Sequence, residues 1–142
     1  MTSSPACWAA FNAVIAREFA DPVLMAVHQL SVDAWAVQHP GDGSRRAIQS
    51  VGLHLASLMA QLEDGSTGPE AARRIQGFAT YNVELPKLTA PFRWSSTVDD
   101  VVAACEPETH LTAVRNWAED VWNDMADHHD FIRKWSGLVK PS

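Results

Sequence analysis

The sequence predicts an all-α fold: a bundle of four main helices, one or two short extra helices and a long structured loop. Three observations carry that prediction. Apolar residues recur at helical spacing along almost the whole chain. Proline and glycine clusters fall between the periodic stretches, where they end helices. No stretch shows the alternation of a half-buried strand. The chain has 142 residues, 46% hydrophobic and 20% charged. That suits one domain with a real core, so a single helical domain over 1–142 is expected.

The elements follow in order. Ser4 and Pro5 open a first helix to about Phe19, as a cap and a first-turn proline do. Asp21-Pro22 repeats that signal and opens a second helix to about Gln38. His39-Pro40-Gly41-Asp42-Gly43 is a turn. Ser44 caps a third helix to about Glu63. Asp64 to Gly68 is the next break, and Pro69 starts a short helix ending near Gly77. From Thr80 to Ser96 the period is lost, which reads as a loop packed by Tyr81, Leu85, Phe92 and Trp94. Thr97 with Asp100 forms a capping box for a short helix to Cys105. Pro107 opens a long last helix to about Ser136, ended by Gly137.

The helical faces add detail. The second helix carries a core stripe of Val23, Val27, Leu30, Ala34 and Val37. A second stripe holds Leu24, His28, Val32, Trp35 and His39. Gln29 and Asp33 mark its polar flank. Such a helix is central, or one face meets a partner or pocket. In the third helix Ile48, Val51, Leu55, Met59 and Leu62 face the core, and Gly52 among them implies close approach of another helix. His54 lies off that stripe with Ser50, Ser57 and Gln61. In the last helix the stripe is Leu111, Val114, Ala118, Val121, Met125 and Ile132, with His128 and His129 at its edges. Six tryptophans either fill the core or line a flat pocket.

Composition excludes several classes. Seventeen acidic against eleven basic residues give a net charge of -6, which argues against nucleic acid. No apolar run approaches a membrane span. The opening Met1-Thr2-Ser3-Ser4-Pro5 lacks the parts of a secretory signal, so the cytoplasm is the expected compartment. Cys7 and Cys105 form no CxxC pair, which excludes a zinc ribbon and a thioredoxin-like site.

Histidine is the informative residue type. His28, His54 and either His128 or His129 could supply three nitrogens from three helices to a divalent metal such as zinc. No HExxH or HxxxH forces two ligands onto one face. The alternative is that each ring is a partly buried histidine bonded to a neighbour. Asp124, four residues before His128, either orients its ring or pairs with it on the surface. Arg45 and Arg46, at the start of the third helix, either hold an anion or pair with acids. Trp35 is the candidate aromatic wall of a small-ligand pocket. Two functions stay open. One is a histidine-lined pocket for a divalent metal or small ligand. The other is a non-catalytic homo-oligomer formed through Leu24, Val32 and Trp35.

Several segments resemble an uncharacterised bacterial family, the domain of unknown function 5946 proteins. They are Cys7 to Phe11, Val27 to Pro40, Ser44 to Val51, Trp117 to Trp122 and His128-His129. Members often carry a cysteine-bearing segment ahead of the first helix, which has no counterpart here. The resemblance implies no activity. The architecture is also similar to the DinB-like metal-binding bundles, although their paired histidines on one helix are missing.

Overall fold

The computed structural model describes residues 5–81 and 84–138, the side chains of 79–81 and 137–138 excepted. The expected cap at Ser4 and the side chain of Tyr81 lie outside the described residues. Among those residues are eight α-helices and one 3-10 turn, with no strand. α1 spans Pro5–Ala20 and buries Phe11, Val14 and Glu18 at positions i, i+3 and i+7. Asp21 ends it and caps α2 (Pro22–Met25), accepting from the Val23 N–H at 2.9 Å with Pro22 in the first turn.

α3 spans His28–Gln38. The expected second helix is therefore two pieces. Val27 (φ -107°, ψ 7°) breaks it, and its N–H turns tightly onto the Leu24 carbonyl at 3.1 Å. Apolar periodicity runs straight through this break and so cannot reveal it. α3 is the central helix, in contact with α1, α4 (Arg45–Leu62), α5 (Gly68–Tyr81) and α7 (Pro107–Asp124). Leu24 and Trp35, expected to meet a partner subunit, are buried within the chain. α1 covers that face: the Phe11 ring stacks on Trp35 at 4.4 Å. Val23, expected in the core, is instead exposed.

α4 starts as expected at Ser44, whose side chain accepts from the Ala47 N–H. Gly41 and Gly43 ahead of it have φ of 84° and 76°, which only glycine adopts without strain. Gly52 is close-packed, but against a loop: a Cβ there would run into the Leu85 side chain. Leu85 is buried, while Phe92, expected to pack the same loop, is fully exposed. α5 begins one residue before Pro69 and runs past Gly77, with Thr67 and Glu70 capping each other.

α6 (Val98–Val102) has the expected Thr97–Asp100 capping box. Arg17 of α1 closes its other end, donating to the carbonyls of Val101, Val102 and Ala104. The long last helix is broken. α7 ends at Asp124, Met125 has φ -98° and ψ 24°, and a 3-10 turn (Ala126–His128) leads into α8 (His129–Leu138). Gly137 lies inside α8 rather than after it. Trp35, Trp117, Trp122 and Trp135 are buried, so four of the six tryptophans serve packing.

Candidate functional site

Two carboxylates are wholly buried, and each gathers hydrogen-bond donors around it. Asp33, on α3, takes four. Gln29 Nε2 (2.8 Å) and His54 Nδ1 (2.7 Å) donate to Oδ1. Ser57 Oγ (2.5 Å) and Gln61 Nε2 (2.7 Å) donate to Oδ2. His54, Ser57 and Gln61 stand at i, i+3 and i+7 on α4, so they share one face. Gln29 is one turn before Asp33 on α3. Four donors fill the acceptor sites of an ionised carboxylate. In the neutral ring this places the His54 proton on Nδ1 and leaves Nε2 as an acceptor. Nε2 has no hydrogen-bond partner among the described residues, and the side chain is 22% exposed.

Glu18, on α1, takes three donors. His28 Nδ1 donates to Oε1 at 2.9 Å. Ser31 Oγ (2.5 Å) and His110 Nε2 (2.9 Å) donate to Oε2. The His28 side chain is also 22% exposed, and its ring lies against Phe19 at 4.7 Å. His110 is wholly buried, and its Nδ1 has no partner among the described residues. With the proton on Nε2, that atom is a lone pair and not a stranded donor.

The expected metal centre is not assembled. His28 and His54 belong to different hubs. Ser31 and Asp33 are two residues apart on α3, about 200° around the helix, so the hubs lie on opposite flanks. His128 and His129 are bonded to neither carboxylate. His128 Nε2 donates to the Thr89 carbonyl at 2.9 Å. His129 Nε2 donates to the Trp122 carbonyl at 2.6 Å, and its ring stacks on Trp122. Among the described residues no three His, Cys, Asp or Glu side chains form a group that could hold a metal ion. Asp124 does not meet His128; it accepts from the Ser95 N–H and hydroxyl at 2.7 and 2.6 Å.

The expected ligand contacts also divide. Arg45 is committed to the loop: it donates to Gln49 Oε1 and the Leu85 carbonyl and pairs with Glu84. Arg46 is exposed beside it. Trp35 is closed between Phe11 and His39 and offers no ligand face. Two surface cavities, near 410 and 360 Å³, have no histidine in their lining. Gln61 lines the second and is the link between it and Asp33.

Glu18 and His110 escaped the motif reading, yet both left a signal. Glu18 falls at core register behind Phe11 and Val14. His110 falls at core register ahead of Val114, Trp117 and Val121. A charged residue on a core stripe must have partners, because an unpaired buried charge is expensive.

Helices that enclose two carboxylates, each holding imidazoles in place, define a small all-α protein with built-in histidine sites. The chain belongs to the family of unknown function DUF5946, whose model matches residues 1–126. Both hubs fall within the matched stretch, and His128 and His129 fall beyond it. No curated protein and no solved structure matches the chain. None of its helices, among the described residues, is long and apolar enough to cross a membrane.

Proposed function

We propose that this chain binds a small ligand whose proton is accepted by His54, with Asp33 setting the ring. The observation that carries this reading is the saturation of Asp33. Four donors fix the carboxylate, the carboxylate fixes the imidazole, and the ring's other nitrogen, Nε2, is left without a described partner. An oriented, partly exposed imidazole is what a general base requires. The same atom suits a divalent cation such as zinc, since a carboxylate behind an imidazole strengthens it as a ligand. His54 would supply one nitrogen at its own site and His28 one at another, with water or the ligand supplying the rest. Arg46 is the exposed expected ligand contact that makes no hydrogen bond or ion pair with a described residue. Cys7 and Cys105 form no disulfide with each other, which fits a reducing compartment such as the cytoplasm.

Diethyl pyrocarbonate, which acylates a deprotonated imidazole nitrogen, tests the reading when combined with mass mapping. His54 is expected to react well before the buried His110. Nitrogen-correlated spectra are expected to place the His54 proton on Nδ1. A proton on Nε2, or a His54 as inert as His110, overturns the proposal. Zinc titration of wild type and His54→Gln then separates the metal from the proton-accepting role.

A second reading, self-association, is favoured by one observation: Phe19 and Val23 at the α1–α2 corner are 66% and 60% exposed. Sedimentation of wild type and Val23→Asp tests it. A monomeric wild type removes it.

A further inference from the structure

We infer that a groove around Arg115 binds a small organic carboxylate with an apolar tail, at a site independent of His54. The two surface cavities share Ala26 and Arg115. The larger lies between the end of α2 and α7, against Val23, Val27 and Leu111. The smaller runs along Leu30 and Gln61 to the loop of Gly65 to Pro69. Small residues keep this region concave. Ala26 sits at the α2–α3 break, and a Cβ on Gly68 would stand 3.0 Å from the Gln29 side chain.

Charge decides what the groove takes. Arg115 is the one charged residue in the lining of either cavity. It is exposed and makes no hydrogen bond or ion pair with a described residue. Its charge is therefore not neutralised by a described acid, in a chain with seventeen acids and a net charge of -6. Two acids adjoin the groove in sequence: Asp64 lies 4.0 Å from Arg74, and Glu70 is turned onto the Thr67 N–H at 2.9 Å, which also holds its carboxyl below the usual range. Ser66 and Asn116 add a hydroxyl and an amide beside the guanidinium. A planar guanidinium matches a carboxylate with two parallel bonds. The apolar wall of Val23, Val27 and Leu111 then receives the tail. Cavities of this size lie in the range that holds small ligands.

Octanoate is the probe, followed by amide-correlated spectra of the full chain. Saturable shifts are expected at Leu111, Arg115 and Ser66, with octanamide and acetate binding more weakly. Arg115→Gln is expected to weaken octanoate by about tenfold or more, the worth of a charge-assisted bond. It is expected to leave octanamide unchanged. Arg115 is exposed, so the variant keeps the fold, and its spectrum reports this directly. Three outcomes overturn the inference: no saturable shift, octanamide binding as well as octanoate, or octanoate binding equally to Arg115→Gln. Arg115 takes no part in the Asp33 hub, so Arg115→Gln is expected to leave the acylation of His54 unchanged, and the two proposals stand or fall separately.

Discussion

The Asp33 and Glu18 hubs use the same parts and differ in how far each can adjust. Both carboxylates are wholly buried, and both hold a histidine through Nδ1 with 22% of its side chain exposed. Asp33 has two donors on each oxygen, three of them from amides and a hydroxyl. Glu18 has His28 alone on Oε1, with Ser31 and His110 on Oε2. The first hub is saturated on both sides. The second has one side whose only donor can give its proton away. A saturated hub fixes an imidazole; a singly bonded one lets it change tautomer.

Asp33→Asn is the largest break of this comparison. Whichever way the new amide turns, its N–H groups face two donors. Two neighbours must reverse together, and Gln61 cannot turn without losing its bond to the Ser57 carbonyl. A loss of about 2–4 kcal/mol in folding stability is expected, because buried donors are left unpaired. Urea denaturation measures it. In the same variant the His54 proton is expected to leave Nδ1 in part. A loss below that of Glu18→Gln would refute the saturation argument.

Glu18→Gln sharpens the comparison from the other side. The new carbonyl serves Ser31 and His110, and the N–H group faces His28. His28 can answer by moving its proton from Nδ1 to Nε2, on the solvent side. About 1–2 kcal/mol is expected to be lost, since charge-assisted bonds become neutral ones. The diagnostic readout is the tautomer: His28 switches in Glu18→Gln, while His54 stays as it was. If His28 keeps its proton on Nδ1, the two hubs are equally rigid.

How much of this was legible in the sequence follows from the same residues. Helical spacing located every main helix, because core burial imposes the period. It missed the breaks at Val27 and Met125, since apolar residues continue through both. His54, Ser57 and Gln61 were visible as a polar edge, and Gln29 and Asp33 as a polar flank. That the two edges face each other is a fact of packing, which spacing within one helix does not encode. Glu18 and His110 are 92 positions apart, so only their odd place on core stripes marked them. The separation of His28 from His54 was hidden for the related reason: histidines near apolar faces say nothing about which flank of α3 each one meets.

His39 supplies the imidazole without a carboxylate. Its Nδ1–H donates to the Trp35 carbonyl, its ring stacks on Trp35, and its Nε2 is buried without a described partner. Burial pushes its pKa below the ordinary imidazole value, against the opposing pull of the Trp35 carbonyl. The folded ring resists a proton that the unfolded one accepts below about pH 6.5. Its contribution is therefore full above that pH and is lost as pH falls through the lowered folded value. Urea midpoints of wild type and His39→Gln across that range are expected to converge on acidification. Parallel curves would show that His39 titrates normally.

Glu63 is the surface counterpart of the two hubs and the smallest expected effect. It accepts from Arg133 at 2.7 Å and from Trp122 Nε1 at 3.2 Å, and both charged side chains are substantially exposed. The Arg133 hydrogen bond, above all, holds its carboxyl below the usual range. Its contribution is thus present above the ordinary carboxylate value and is lost as pH falls through the depressed folded one. Water and salt screen an exposed pair, whereas buried groups are screened far less. Glu63→Gln should therefore lower stability by less than Glu18→Gln, and the difference from wild type should fade in about 1 M salt. The Asp33→Asn loss should persist in the same salt. If salt erases both alike, Asp33 is reached by solvent and its hub is not the closed device that holds His54.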